Sequence, residues 1–217
     1  MDPVQRFISG AYSFLADRLY EPLVVHGGFR VFGGDINARA FEQGQRAVLA
    51  AGGGPILDMP VGTAYFTAEI ARNHPGIVVG VDIAQGMVEQ TRRVAQKEGL
   101  PNLIAARADA HLLPFDDGSF AAIVSTNGLQ VIPKMESAVA ELVRVLGPGG
   151  TLLVSIITAP FAGPFPEHMR RDMPAIVRPG RDVALAISRA SGLDMTHTEL
   201  SHSRLATLIE WTKPAVP

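Results

Sequence analysis

Between residues 55 and 158 the chain alternates short apolar runs with amphipathic stretches, and this alternation constrains the fold more than any other feature of the sequence. The runs are Pro55 to Asp58, Gly76 to Ile83 (GIVVGVDI), Asn102 to Asp109, Phe120 to Ser125 (FAAIVS) and Thr151 to Ile157 (TLLVSII). Most are apolar at successive rather than alternate positions, which suits strands covered on both faces. Between them, Ala64 to Asn73, Gln85 to Lys97 and Lys134 to Leu146 carry helical periodicity. Met87, Val88, Thr91, Val94 and Ala95 share one face of the second helix, and Met135, Val139, Leu142, Val143 and Leu146 one face of the third. Gly99 and Pro101 stop one, and the turn Gly147-Pro148-Gly149-Gly150 the other. The pattern predicts an α/β, doubly wound fold, a mostly parallel sheet with helices on both faces.

The flanks differ from this core. Residues 1–50 read as a small N-terminal helical cap, with Phe7, Tyr12, Phe14, Leu15 and Leu19 at helical spacing. Residues 51–158 are the expected cofactor-binding core. Residues 159–181 hold five prolines, together with Phe161, Phe165, His168, Met169 and Met173, and read as a lid or acceptor segment inserted after the fifth strand. Residues 182–217 read as a helix followed by an antiparallel hairpin, Met195 to Leu200 with Leu205 to Lys213, which brings the sheet to seven strands. The whole is one domain of 217 residues.

Charge and composition remove several functions. Lys and Arg total 19 against 21 Asp and Glu, and no basic run stands out, so a nucleic-acid partner is not expected. The absence of cysteine excludes disulfides, thiolate chemistry and thiolate-bound metal. The six histidines show no metal-ligand spacing, so no metal is expected. The first ten residues lack an apolar run of signal-peptide length. The greasiest stretch, Thr151 to Ala159, is about half a membrane span, so no membrane partner and a cytoplasmic location are expected.

The chemistry concentrates at the ends of the strands. In Ile56-Leu-Asp-Met-Pro-Val-Gly-Thr-Ala64 a strand ends at Asp58 and a tight turn leads into a helix. The small residues Pro60, Gly62 and Ala64 let a ligand approach the backbone, and Gly62 can adopt a positive φ. The spacing is not that of the dinucleotide fingerprint, and the acidic residue before the turn would repel a pyrophosphate. Asp82 closes the second strand, 24 residues after Asp58, where a carboxylate can accept both hydroxyls of a ribose. Asp109 closes the third strand, positioned to accept an exocyclic amine, and Asn127-Gly128 follows the fourth. Three carboxylates at one end of successive strands suit a cationic nucleoside without phosphates. Each also has a plain structural reading: Asp58 and Asp82 as helix caps, Asp109 and Asn127-Gly128 as turn formers.

These residues resemble a family. Ile56-Leu-Asp-Met-Pro-Val-Gly-Thr-Ala64 and Gly80-Val-Asp-Ile-Ala-Gln-Gly-Met87 look like the first two motifs of class I S-adenosylmethionine-dependent methyltransferases. Ala108-Asp-Ala-His-Leu-Leu-Pro-Phe-Asp-Asp-Gly-Ser-Phe120 and Leu142-Val-Arg-Val-Leu-Gly-Pro-Gly-Gly-Thr151 are similar to later motifs, and the group approached is the ubiquinone/menaquinone C-methyltransferases. The resemblance implies S-adenosyl-L-methionine as cofactor. The turn from Asp58 through Pro60 and Gly62 to Thr63 would surround its methionine part, and Asp82 would take the ribose. Ile83 and Met87 would pack on the adenine, Asp109 and Ala110 would meet its amine and edge, and Asn127 with Gly128 would lie near the ammonium. The family usually has glycine where this chain has Ala64, so a positive φ there would cost energy.

The implied reaction is methyl transfer to a small, largely apolar acceptor at carbon, oxygen or nitrogen. Candidate acceptor contacts are Tyr12, Tyr20, Phe161, Phe165, His168 and Met173, with His168 the candidate general base if the acceptor arrives protonated. His74 reads as a solvated surface residue, and His26 and His111 carry little signal. Two other readings fit part of the pattern: a methyltransferase-like protein that binds the cofactor without methylating, and an NAD-dependent oxidoreductase, which Asp82 alone would permit.

Overall fold

A computed structural model of the chain describes residues 42, 44, 46, 50–157, 180–193, 195–200 and 206–215. The expected cap, lid and candidate acceptor contacts Tyr12, Tyr20, Phe161, Phe165, His168 and Met173 lie outside these residues. The alternation of apolar runs becomes β1 (Ile56–Asp58), α1 (Tyr65–Asn73), β2 (Val78–Asp82), α2 (Gln85–Glu98), β3 (Leu103–Arg107) and β4 (Phe120–Thr126). After β4 come a single 3-10 turn (Leu129–Val131), α3 (Met135–Val145), β5 (Leu146–Ile157), α4 (Gly180–Ser191), β6 (Met195–Leu200) and β7 (Ala206–Thr212).

The strand order is β3-β2-β1-β4-β5-β7-β6. The pairs β2–β3, β1–β2, β1–β4 and β4–β5 are parallel, and β7 is antiparallel to both β5 and β6. The α/β, doubly wound, mostly parallel arrangement is therefore borne out. The chain winds outward from β1 through β2 to β3, then returns to lay β4 on the other side of β1. That reversal opens a crevice beyond the carboxyl ends of β1 and β4, where open α/β sheets bind ligands.

Strand alternation sorts the apolar residues into two cores. Leu57, Val79, Ile123, Leu152 and Val154 pack with Met135, Val139 and Leu142 of α3 and with Ile187 of α4. Ile56, Val78, Ala122 and Val124 pack with Ala68, Ile70 and Ala71 of α1. Fully buried Trp211 on β7 donates its ring N–H to Ser188 Oγ on α4 at 2.8 Å. Lys213 Nζ donates to the carbonyls of Val143 and Leu146 at 2.9 and 2.6 Å, a cation at the carboxyl end of α3 where the helix dipole favours one.

Three local expectations need correction. The turn Gly147 to Gly150 does not precede β5 but bulges within it, because the pairing with β4 jumps from Phe120–Leu146 to Ala122–Thr151. Close approach explains Gly150, where a Cβ would lie 2.6 Å from Leu146 Cδ1 and 2.9 Å from the Ala121 carbonyl oxygen. This bulge sits beside the first residues of β4, at the far end of the sheet from the crevice. His74 is buried rather than solvated: its Nε2 donates to the Gly54 carbonyl at 2.8 Å, tying the end of α1 to the segment before β1. The last helix begins at Gly180, two residues before the expected boundary.

The segment following Asp109 is held from α3. Arg144 donates to the carbonyls of Leu113 and Phe115 at 2.9 and 2.8 Å and to Asp117 and Glu141. Glu141 in turn accepts the Leu113 N–H at 2.8 Å.

One glycine positions the crevice. A Cβ on Gly80 would lie 2.6 Å from Val61 Cγ2, so the loop after β1 rests directly on the β2 backbone. Gly80→Ala should overpack this contact and destabilise the fold by about 1–3 kcal/mol. Urea denaturation measures the change, and an unchanged midpoint would show that the loop is free to lift.

Candidate active site

The loop after β1 remains hydrogen-bonded beyond its strand. Met59 N–H donates to the Val124 carbonyl at 3.1 Å and Val61 N–H to the Val81 carbonyl at 2.8 Å, so the loop is fastened to both neighbours. Pro60 lies against Gly128 so closely that a Cβ on Gly128 would overlap the proline ring. That contact, rather than a positive φ, accounts for glycine in Asn127-Gly128; Asn127 itself takes the left-handed conformation, φ 54°. Gly62 has φ 53°, as its sequence context suggested. Ala64 is also left-handed, φ 63°, so the loop does require a positive φ where the resembling family usually has glycine. The conformation costs alanine about 1–2 kcal/mol. Its fully buried methyl returns about 0.8 kcal/mol, and glycine's greater entropy loss offsets another 0.5–1 kcal/mol. Alanine thus keeps the loop's shape at small net cost.

Asp82 joins two loops. Its Oδ2 accepts the Gly62 N–H at 3.1 Å and its Oδ1 the Ala84 N–H at 2.9 Å. It does not cap α2: the N-cap position is Ala84, which makes no side-chain cap bond. Burial pushes the Asp82 carboxyl above the usual carboxylate range, although the N–H groups of Ala84, Gly62 and Ile83 pull the other way.

Asp58 turns toward α1 instead of the crevice, in register with Gly80 and Val124. Its Oδ2 accepts from Thr67 Oγ1 at 2.5 Å, and its buried Oδ1 has no hydrogen-bond partner among the described residues. Burial, opposed by the Thr67 hydroxyl and reinforced by the charge of Asp82, raises Asp58 from 3.8 to about 7. Nor does it cap α1, whose N-cap position is Ala64.

Asp109 lies two residues beyond β3. Its Oδ1 accepts the His111 N–H at 3.0 Å and faces His111 Nδ1 at 2.6 Å, while His111 Nε2 donates to the Pro133 carbonyl at 2.7 Å. Burial raises the Asp109 carboxyl, but the His111 backbone and ring outweigh it and hold the group below the usual range. Asn127 donates its N–H to the Ser155 carbonyl at 2.8 Å, and its own carbonyl accepts Gln130 Nε2 at 2.9 Å.

These loops line a crevice that opens to solvent, with about 870 Å³ of empty space counted together with its open mouth. Of the sequence-expected cofactor residues, Pro60, Gly62, Asp82, Ile83, Met87, Asp109, Ala110, Asn127 and Gly128 line it. Asp58 and Thr63 do not; Thr63 is buried in the turn, and Asp58 borders the site from behind. Sequence reasoning missed Met59, His111, Thr126 and the wall Val131-Ile132-Pro133. The apolar run directly after Asn127-Gly128 was the available signal for that wall. No lysine or arginine is among the described lining residues.

The pH dependence of stability should report Asp58. Its folded-state value, about 7, lies above its ordinary 3.8. Its stabilising contribution is therefore complete below about pH 4 and is lost as the pH rises through 7. Asp58→Asn removes this titration, so between pH 4 and 8 stability should shift in the variant's favour by up to about 4 kcal/mol. Urea denaturation across that range checks it, and parallel curves for the two proteins would contradict the buried, protonated carboxyl.

A family model described as a methyltransferase domain matches residues 56–150. The demethylmenaquinone methyltransferase of Thermus thermophilus is 40% identical over 111 residues, covering 51% of this chain and 50% of that protein. The chain spans about half the length of the curated relatives it matches. A SAM-dependent methyltransferase from Aquifex aeolicus superposes with a TM-score of 0.66 at 17% identity, covering 94% of this chain and 97% of that one. The [4+2]-cyclase SpnF superposes with a TM-score of 0.65 at 19% identity, covering 79% and 81%. The order of the motifs and the fold agree with the methyltransferase domain matched over residues 56–150, and over that stretch the chain is similar to S-adenosylmethionine-dependent methyltransferases.

Proposed function

We propose that this protein transfers a methyl group from S-adenosyl-L-methionine to a small, largely apolar acceptor. The observation that carries the reading is the charge of the cavity. Among the described residues its ionisable lining groups are Asp82, Asp109 and His111, without lysine or arginine, at the carboxyl ends of β2 and β3. A pyrophosphate would meet carboxylates there, whereas a sulfonium-bearing nucleoside meets complementary charge. The chemistry of this donor set fits the cofactor.

In this reading Asp82 accepts the ribose hydroxyls, using lone pairs left beside its bonds to Gly62 and Ala84. Ile83 and Met87 supply the apolar contacts for the adenine, and Asp109 with Ala110 meets its amine and edge. The Pro60–Gly62 loop, pressed against Gly80 and Gly128, brings backbone close to the methionine part, and Asn127 takes the ammonium.

Bound S-adenosyl-L-methionine supplies an already electrophilic methyl group. The chain's own work is therefore to align the acceptor about 3 Å away and in line, and to exclude water. Thr126 and the wall Val131-Ile132-Pro133 offer a mostly apolar surface for that acceptor. The relative from Thermus thermophilus makes demethylmenaquinone the first acceptor to try. His168, in the segment after β5, is the proposed base for acceptors that arrive protonated. A second reading, cofactor binding without methyl transfer, draws on SpnF, a cyclase on the same fold.

Saturating cofactor separates these readings. S-adenosyl-L-methionine at about 100 times its Kd should stabilise the protein by about 2.7 kcal/mol, visible as a raised Tm. Stabilisation by NAD with none from S-adenosyl-L-methionine would overturn the proposal. Binding without a one-methyl mass gain across quinol, phenol and amine acceptors would support the second reading. Asp82→Asn should weaken S-adenosylhomocysteine binding about tenfold, the loss of one charge-assisted interaction, measured by calorimetry.

A further inference from the structure

His111 is given no role in the reading above, yet its ring bonds to two different loops of the described cavity lining. Nδ1 lies 2.6 Å from Asp109 Oδ1, on the loop after β3, and Nε2 lies 2.7 Å from the carbonyl oxygen of Pro133, on the loop after β4. Neither partner has a proton to give. A carbonyl only accepts, and Asp109 is held as a carboxylate by the donors around it. A neutral imidazole has one donor and one acceptor nitrogen, so it would turn a lone pair toward one of these oxygens at hydrogen-bond distance. The ring with two protons satisfies both, and each bond is then charge-assisted, in keeping with the short separations.

The same contacts set the orientation of Asp109. Its hydrogen bonds among the described residues, from the His111 N–H and from the His111 ring, fall on Oδ1. That leaves Oδ2 as the oxygen through which the carboxylate can accept from a ligand.

We propose that His111, carrying both ring protons, is a positioning residue that clasps the loop after β3 to the loop after β4 and presents Asp109 Oδ2 to the exocyclic amine of the bound nucleoside. The assignment of the nucleoside rests on the proposed function; the clasp itself does not. Charged groups on the surrounding elements are Asp82 at the end of β2, Arg107 at the end of β3, and Lys134, Glu136, Glu141 and Arg144 on and before α3. Arg107 Nε donates to the Ile83 carbonyl, and Glu141 is engaged by Arg144 and the Leu113 N–H. The hydrogen bonds of the His111 ring run to Asp109 and Pro133. Loss of either bond opens one side of the clasp and leaves the Asp109 carboxylate free to turn.

The test has two arms. Nitrogen-15 NMR of the ligand-free protein should find a proton on each ring nitrogen of His111. A single-proton tautomer overturns the clasp. In the second arm, the Kd of S-adenosylhomocysteine is measured for the parent protein, His111→Gln, Asp109→Asn and the double variant. His111→Gln should bind about tenfold more weakly than the parent, and the loss should vanish in the Asp109→Asn background, because the histidine acts through that carboxylate. Equal losses in both backgrounds overturn the positioning role. Absence of S-adenosylhomocysteine binding to the parent removes the nucleoside assignment instead, and the NMR arm still decides the clasp.

Discussion

The carboxylate of Asp82 is the interaction on which the cavity depends. Its two oxygens hold the N–H of Gly62 on the loop after β1 and the N–H of Ala84 at the head of α2. The bridge joins two loops that belong to different strand–helix units. Burial raises the Asp82 carboxyl above the usual carboxylate range, and three backbone N–H groups partly offset that shift. A carboxylate held this way is already oriented when a ligand arrives, which lowers the entropy that binding must overcome.

Around this bridge the loop after β1 is fixed by contact rather than by flexibility. Val61 sits on Gly80, Pro60 on Gly128, and the backbone of Met59 and Val61 continues to pair with β4 and β2. Glycines serve here mainly as places without a side chain, so that one backbone can lie on another. Asp58 fills a different role from the other aspartates. It faces α1, bonds Thr67 and is buried enough to be raised to about 7, so it anchors the loop from behind the cavity wall.

Much of this was legible in the chain. Successive apolar residues in GIVVGVDI and TLLVSII require a sheet covered on both faces, and helical spacing between such runs requires crossovers. Asp82 and Asp109 at the ends of their runs placed two carboxylates at one edge of the sheet, and Ile83 and Met87 followed from the same register. His111 was not legible as a functional residue, because its significance rests on the carbonyl of Pro133, 22 residues away. His74 was misread for a similar reason. A histidine in a helix-ending turn looks solvated until the segment Gly52 to Gly54 folds across it.

By itself the sequence determined the order and type of the elements, the parallel core and the end of the sheet at which the carboxylates gather. Those properties follow from local periodicity and from where each apolar run stops, and both are written along the chain. Only the tertiary structure decided which aspartates line the cavity and which lies behind it, since that depends on the face each one takes relative to α1 and the crevice. It also decided that Ala64 adopts the left-handed conformation, and that the Gly147–Gly150 turn is a bulge at the far end of the sheet. Each of those outcomes is set by a close approach between segments distant in sequence, where packing rather than local propensity chooses the conformation.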